Sequence, residues 1–597
     1  MLKKIIDTLF LLGLISIFLA CESEESPSLS KINTVETPTP TPAPAPTSTS
    51  TPTPTSPSVQ ANEDKNTSII KIDTSTLPKE LINDEFHQES YNGLKFYYKN
   101  LYSDNYKLEQ LNDNDFANLN KQEKLQVANK LLSSLFFGYP YKELQKKIDN
   151  GDFISAIRSA LEEDKIDRDN LETLILNNDI FRQYTNSPWI QSQVVTILTR
   201  FYAMDTLDRY YFENWMAYIL AQTIMFSPAY ELSSTHTPNI SRVYNRLVNM
   251  LDINSGMRYI SYVHMMSEDN WRRFRSPEDN GREMLEIFTL DTNDSHVPLA
   301  GKALQNWKLN KDGNTLEVGL NKNHTPISLF GTTIYNGDDF YRELVKSTAF
   351  TYGVTKRLVD FFFPQKDENR RAEISKIIVS SKPEKWQDIL LQILFSKEYL
   401  LQNSRVLSAE ERFYSFAKIM QFKAKRDTFY HLKKKLTNMH QASMRYKLGK
   451  LERVPLDSLS FSSYHKYIRE YMLLNIANEH ETNRDSWKYD GWSKNFISTE
   501  NFKLNEKSSE ETLRNFINYL FMSMISREAT DTEMALFKSH ILEEKNGKVC
   551  FKSEFNMVTR RDENEEEERL KRRKNLAVII LDYISRVENT YIQREVK

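Results

Sequence analysis

Cysteine is almost absent from this chain. Cys21 and Cys550 are the only two in 597 residues, which excludes a disulfide-stapled scaffold. Glycine is scarce at 15, and that disfavours glycine-rich turns and β-solenoids. Proline is unevenly spread: eight of the 20 fall between Pro38 and Pro57. The remainder is proline-poor and free to carry long helices. Neither sign of charge dominates, with 79 Lys+Arg against 81 Asp+Glu. A strongly basic nucleic-acid binder is therefore not the first reading, and no nucleic-acid partner is expected. Long hydrophobic runs are also missing. The N-terminal run, Leu9 to Ala20, has about 12 residues, too few to cross a ~30 Å hydrocarbon core. What is present is apolar and aromatic mass, 40% and 12% of the residues, enough to exclude disorder throughout. The length suits two or three domains, or one large helical one.

The N-terminus reads as an address. Lys3 and Lys4 precede the short apolar run, the pattern of a signal peptide over residues 1–20. Phe18-Leu19-Ala20-Cys21 resembles a bacterial lipobox, in which the Cys thiol takes a diacylglycerol and its freed amine a third acyl chain. The resemblance implies lipidation at Cys21 and a lipid bilayer as partner. At about 0.8 kcal/mol per buried methylene, two or three chains anchor stably. Glu22-Ser23-Glu24-Glu25 resembles the acidic export signal of surface lipoproteins. The expected location is the bacterial cell envelope, lipid-anchored at the outer membrane, on its periplasmic or surface-exposed face. Residues 21–65 follow as a disordered tether. Its Thr37–Ser58 stretch alternates Thr-Pro, Ala-Pro and Thr-Ser with no large apolar residue, so it should be extended polyproline-like chain. At ~3.1 Å per residue its roughly 22 residues span roughly 70 Å. With Cys21 lipidated, Cys550 has no partner and reads as a buried or inert thiol.

The rest is expected to be mainly α: a helical lead-in over 66–127, then one large multi-helix domain over 128–597. Leu144, Ile148, Phe153, Ile157 and Leu161 keep a helical period across a break at Gly151. Gln193 to Ala221 is long, aromatic-rich and almost free of breakers. Phe413, Phe416, Ile419 and Met420, and Leu513, Phe516, Ile517, Leu520 and Met524, continue the pattern as core. One small β-hairpin insertion is read at Trp307-Lys308-Leu309 and Leu316-Glu317-Val318, around Asp312-Gly313. Between Glu563 and Lys574 the pairs Glu565–Arg569, Glu567–Lys571 and Glu568–Arg572 have favourable i,i+4 spacing. They predict a solvated helix face, with Leu576–Ile584 docking as a last helix.

Ser276 to Leu290 is the most informative stretch. Ser276 reads as an N-cap, Pro277 as the first helical residue and Asp279 as the reciprocal capping carboxylate. Glu278, Arg282 and Glu286 fall at i, i+4 and i+8, with Met284, Ile287 and Phe288 on the apolar side. Two readings follow. One is a buried ion ladder in which Arg282 satisfies the carboxylates and fixes helix packing. The other is a carboxylate cluster for acid/base work or for a cation.

The same stretch resembles the N-E-N-[FY]-A-R-E-L-[LM]-E-L-[FH]-T-L-G signature of the bacterial family called domain of unknown function 1800. Glu278, Arg282, Glu283, Glu286, Thr289 and Leu290 match it, while Pro277, Asp279 and Asp291 depart from it. Further blocks follow in family order. Leu131-Leu132 to Phe137-Gly138 with Glu143-Leu144 resembles the family's opening block. Lys302-Ala303-Leu304 with Trp307 resembles A-R-A-L-T-G-W, and Gly331 ends the next block. Thr355-Lys356-Arg357-Leu358 resembles A-R-K-L, and Leu394 to Tyr399 resembles L-x-S-x-E-F. Gly491-Trp492 with Phe496 to Thr499 resembles a late G-W block. The departures concern polar chemistry. The opening His and Arg are Lys130 and Ser134 here. Met216, Ala217 and Tyr218 stand where a His follows Trp215. Ser347-Thr348 replaces a His-Pro, and only a shifted His324 remains of an H-D…K block. The resemblance thus implies a divergent helical copy with little inherited catalytic potential. It also implies a partner from the alkaline-phosphatase-like group called domain of unknown function 1501.

No nucleophile elbow, H-E-x-x-H, P-loop or dinucleotide fingerprint occurs. The ten His are scattered, so no metal and no cofactor is expected. His480 reads as a solvated loop residue and His264 as a core residue. Two functions stay open. The first is an envelope-anchored lipoprotein with a non-catalytic binding or assembly domain, in which Arg282, Trp307 and Trp492 are structural or anion-binding. The second is a hydrolase of an envelope or extracellular polymer, with Glu278, Glu283 and Glu286 as the candidate catalytic residues.

Overall fold

The computed structural model describes residues 70–72, 108–171, 204–225, 240–252, 254–310, 316–422, 458–473, 495–557 and 565–596, with a few single positions between them. The signal segment, Cys21, the tether, His480 and Trp492 lie outside the described residues. The chain divides into two units, residues 1–65 and 66–597, and every described residue belongs to the second.

That unit is mainly helical. It opens with α1 (Asp113–Ala117), α2 (Lys121–Phe136), α3 (Tyr141–Asp149) and α4 (Phe153–Ala160). Next come α5 (Arg209–Thr223), α6 (Ile240–Asp252), α7 (Met257–Met265), α8 (Glu268–Arg273), α9 (Pro277–Thr289) and α10 (Val297–Ala303). Two hairpins intervene before α11 (Gly337–Lys346), α12 (Thr348–Phe362), α13 (Glu368–Ser380), α14 (Trp386–Leu394) and α15 (Lys397–Gln402). The order closes with α16 (Ala409–Ile419), α17 (Ser458–Tyr467), α18 (Ser509–Ile525), α19 (Asp531–Ile541) and α20 (Glu565–Ile584). Local chemistry starts many of these. Asn120 with Glu123, Ser408 with Glu411 and Thr530 with Glu533 form reciprocal capping boxes at α2, α16 and α19, each satisfying backbone donors that the first turn leaves free.

The helical periods of the sequence hold, with one interruption. The break at Gly151 separates α3 from α4 as expected. The Gln193–Ala221 stretch is not a single helix, because residues 204–208 leave helical geometry. The cause is Asp208, a fully buried carboxylate that caps Tyr211 N–H at 2.7 Å and ties down the backbone N–H groups of Lys165 and Ile166 at 2.9 and 2.8 Å. Phe413, Phe416, Ile419 and Met420 are all core residues, as are Leu513, Phe516, Ile517 and Leu520. One continuous apolar cluster joins nearly every helix, and Trp215, Trp271 and Trp386 are among its largest members.

The strands are short and antiparallel. β1 (Ile70–Ile72), β2 (Trp307–Leu309) and β3 (Leu316–Val318) form a sheet in the order β1-β3-β2. The expected hairpin is β2–β3, with Trp307 opposite Val318 and Leu309 opposite Leu316. Its turn at 311–315 lies outside the described residues. Among the described residues two more hairpins exist: β4 (Ile327–Leu329) with β5 (Thr332–Ile334), and β7 (Leu542–Lys545) with β8 (Lys548–Phe551). The second turns on Asn546-Gly547, both at positive φ, the two-residue loop that matches strand twist. β6 (Arg405–Val406) pairs with β9 (Ile592–Gln593) near the end of the chain.

The acidic and basic run and the apolar segment after it form one 20-residue helix, α20. The side chain of Glu565 lies outside the described ones, and of the other expected pairs Lys571 and Arg572 meet different partners. Glu566–Arg569 and Glu568–Lys571 close at i,i+3, and buried Arg573 reaches Glu566 at 2.6 Å. Arg572 donates instead to the Asn556 carbonyl at 3.1 Å. Packing against neighbouring segments turns these side chains away from the simple i,i+4 row. Cys550 sits half-exposed on β8, its Sγ 3.6 Å from the Glu543 carbonyl, so it is not a buried thiol.

Candidate functional site

The structure first tests the 276–290 stretch, which is α9. Ser276 Oγ accepts from the Asp279 N–H at 3.1 Å and Pro277 opens the helix, as read. Asp279 does not return the cap; its carboxylate accepts from Arg282 at 2.7 Å. The helix is clasped at close range on two sides. A Cβ on Gly281 would lie 2.6 Å from that of Ala300 on α10. On α12, a Cβ on Gly353 would run into the Phe288 carbonyl. Between them, buried Asn280 accepts from Tyr341 Oη at 2.7 Å. At the far end, Leu290 takes the left-handed conformation as C-cap (φ 57°), a geometry that costs a non-glycine residue roughly 1–2 kcal/mol. Arg357 of α12 donates to the Ile287 carbonyl and, at 2.6 Å, to the Glu286 carbonyl, satisfying groups the helix end leaves open. Arg357 of α12 therefore caps the end of α9.

The buried ladder is not formed. Arg282 is a surface residue, 44% exposed, and pairs with Asp279 at 2.7 Å and Glu283 at 3.4 Å. Neither Glu278 nor Glu286 closes an ion pair with it; Glu278 is exposed and Glu286 half-buried. Gly281, Met284, Leu285 and Phe288 take the inward face, which leaves 278, 282 and 286 pointing outward. A surface pair of this kind contributes roughly 0–1 kcal/mol. Only Glu283 is buried. Burial pushes its carboxyl up to about 7, with Glu286 adding to the shift and Arg282 opposing it, and its Oε2 lacks a hydrogen-bond partner. The three carboxylates thus meet three environments and do not converge on one cleft. Trp307 sits in the core. It is buried against Trp271 (ring centroids 6.2 Å) and edge-on to Tyr341 (5.7 Å).

A different constellation does surround a cavity, and the sequence reading did not single it out. A recess of about 110 Å³ lies where α2, α16, the end of α18 and the 589–596 segment converge. On α2 the polar positions Gln126, Asn129, Lys130 and Ser133 form one stripe facing it. On α16 it is lined by Arg412, Ser415 and Phe416, at i, i+3 and i+4. Asn129 donates to Ser526 Oγ, and Gln593 donates to Ser133 Oγ at 2.9 Å, so the walls are tied to one another.

Beneath this recess lies a buried polar network. Ser134 and Tyr399 hydroxyls are 2.8 Å apart. Arg405 donates to Tyr399 Oη at 3.2 Å, to Gln593 Oε1 at 2.9 Å and to Glu411 Oε1 at 2.7 Å. Trp215 donates to the Ser134 carbonyl at 3.0 Å. Lys130 Nζ donates to the Asn403 carbonyl and, at 3.4 Å, to that of Arg594. Lys130 and Ser134, one helical turn apart on α2, both fall here. Burial opposes the charge on Arg405, but Glu411 and Tyr399 outweigh it and hold its pKa above the usual value. Lys130 has only the weaker pull of Glu595. Burial, then the neighbouring Arg405, bring it down to about 7.

Arg412 stands in the wall of the recess without a carboxylate hydrogen-bonded to it. It is 1% exposed, and its guanidinium lies 4.6 Å from the ring centroids of both Tyr464 and Tyr591. Its Nε and Nη1 have no hydrogen-bond partner. Burial lowers its pKa, which Tyr464, Tyr591 and Glu411 only partly offset. Removing such an ion from water costs several kcal/mol on the order-of-magnitude scale for buried charges, so an unmatched interior guanidinium marks the wall of this recess. No signal in the local sequence finds it, because Lys130 and Arg412 stand far apart in the chain.

Other polar groups are structural. His465 lies 2.8 Å from Ser585 Oγ and 3.3 Å from Asp582 Oδ1, a look-alike of a nucleophile triad. Ser585 is fully buried and donates to the Asp582 carbonyl, so no substrate reaches it. His264 packs in the core, where burial lowers its pKa to about 3. His296 and Asp291, 2.6 Å apart, staple the loop between α9 and α10. His324 is exposed. Among the described residues, no three His, Cys, Asp or Glu side chains gather as metal ligands, and no helix is long and apolar enough to cross a membrane.

Comparison with protein-family models, with curated proteins and with solved structures finds no match to this chain.

Proposed function

We propose that this chain is an envelope-anchored lipoprotein whose helical domain serves binding or assembly rather than catalysis. The observation that carries the reading is the fate of α9. Its Glu278, Glu283 and Glu286 diverge into solvent, interior and half-buried surface, and glycine-close helix contacts hold it on two sides. General acid/base work needs carboxylates that face one substrate, so this helix is better suited to scaffolding. The lipobox-like Phe18–Cys21 and the Pro/Thr/Ser stretch support display of the domain at a distance from a membrane. The resemblance to the domain of unknown function 1800 family supports an envelope partner from the alkaline-phosphatase-like group.

The test is affinity capture of the full chain from its own membranes, beside a Cys21→Ala variant. The parent chain is expected in the outer-membrane fraction with an alkaline-phosphatase-like protein in stoichiometric amount, and the variant in the soluble fraction. Equal membrane recovery of both chains would refute the anchor. Capture without any stoichiometric partner would refute the assembly role.

A further inference from the structure

The recess between α2, α16, α18 and the 589–596 segment has basic side chains in its wall that no carboxylate hydrogen-bonds. Two other buried guanidiniums do meet carboxylates: Arg405 has Glu411, and Arg573 has Glu566. Arg412 has aromatic faces on two sides, which favour its charge but accept none of its in-plane N–H groups. Its nearest acidic neighbour in sequence, Glu411, is engaged by Arg405 at 2.7 Å and by the Ser408 N–H at 2.8 Å. Lys130 adds a second buried basic group to the same wall, hydrogen-bonded to the carbonyl oxygens of Asn403 and Arg594 and beside the Tyr399 ring. At the mouth, exposed Arg594 is paired with Glu588, and Glu595 is the one carboxylate among the lining residues. The lining also carries amide and hydroxyl groups on Gln126, Asn129, Ser133 and Ser526.

We propose that this recess binds a phosphate-class oxyanion, with Arg412 and Lys130 as its charged contacts. Three features select that chemistry. Two basic groups from different helices line one recess, and an anion there would pair with the Arg412 guanidinium and favour the protonated form of Lys130. A guanidinium fork offers several donors, and a tetrahedral oxyanion offers acceptors in several directions, so the fork and the surrounding amides and hydroxyls can be served together. The volume sets an upper size. A ~150 Å³ interior cavity accommodates benzene, so about 110 Å³ suits inorganic phosphate or one phosphate headgroup and excludes a whole nucleotide. The site lies away from α9 and does not depend on the lipid anchor.

The experiment is equilibrium dialysis of radiolabelled inorganic phosphate against the full chain in detergent at neutral pH, with thermal melts in parallel. One phosphate per chain is expected, with a rise in melting temperature. Arg412→Gln and Lys130→Gln should each weaken binding by roughly tenfold or more, as expected for loss of an enclosed charge-assisted contact. Lys130→Arg should retain it. Because either neutralising variant removes a buried group, Gln126→Phe serves as a second probe. It fills the mouth from a half-buried position, leaves both cations in place, and should abolish binding in a folded chain. A parallel arm with sn-glycerol 3-phosphate separates the sources. Tighter binding than phosphate assigns a lipid headgroup, and weaker binding assigns the free ion. Failure of the parent chain to saturate with phosphate at about 10 mM, a weak-affinity ceiling, would overturn the proposal. So would unchanged binding by folded Arg412→Gln and Gln126→Phe chains.

Discussion

Glu283 is the one carboxylate of α9 that leaves water, and its environment makes a signed prediction. Burial raises its pKa from 4.5 to about 7. A raised pKa means that the native state holds the proton more tightly than the unfolded chain. The associated stability is therefore fully present below about pH 4.5 and is lost as pH rises through about 7. Glu283→Gln keeps the shape and removes the charge. The variant should be more stable than the parent at pH 8 by roughly 1–2 kcal/mol and nearly equal to it at pH 4, as read from urea midpoints at the two pH values. A variant less stable than the parent at pH 8 but equal to it at pH 4 would show that the carboxylate is needed in its charged form. At this scale the sequence was partly legible. The N-cap of Ser276 and the helical start at Pro277 are local hydrogen-bond chemistry and follow from adjacent residues. Which of Glu278, Glu283 and Glu286 is buried does not follow, because it depends on which helix lies alongside.

At the scale of elements, glycine contacts decide how α9 sits. Ala300 leaves Gly281 no room for a side-chain atom. Gly281→Ala should therefore push α9 from α10 and cost about 1–3 kcal/mol, the range for overpacking a closed interior. That cost runs against alanine's intrinsic helical advantage of up to about 1 kcal/mol, so the net sign tests whether packing or propensity governs. Guanidinium denaturation with an unchanged m-value is the measurement, and a stabilised variant would contradict the close approach. The same reasoning explains the failed ladder. Spacing puts Glu278, Arg282 and Glu286 on one face, but spacing carries no information about whether that face is the inner one. Here the glycine side turned inward and Asp279 captured the guanidinium. In α20 the expected Glu568–Arg572 and Glu567–Lys571 pairs gave way for a similar reason, with Arg572 drawn to a neighbouring carbonyl and Lys571 to Glu568.

Across the whole molecule, the 592–596 segment does more than end the described chain. Ile592–Gln593 pairs with β6, Val596 N–H donates to the Leu401 carbonyl at 2.8 Å, and Gln593 bridges Arg405 and Ser133. Deleting residues 592–597 should cost roughly 2–4 kcal/mol, since several net hydrogen bonds at about 1 kcal/mol each disappear and Arg405 loses an acceptor. Thermal melts of the truncated chain check this, and an unchanged melting temperature would show the segment to be a passive tail. The sequence by itself determined the helical class, the main breaks, the β2–β3 hairpin and the core aromatics, because these rest on periodicity, caps and turn residues read within one or two turns. The Asn546-Gly547 hairpin was equally legible in principle, for its turn signal is local. Tertiary structure alone decided which polar residues meet. Lys130, Arg405, Arg412, Ser526 and Gln593 come together only when distant segments pack. Their burial, and hence their charge and chemistry, is a property of the surrounding dielectric and partners that no single stretch of sequence contains.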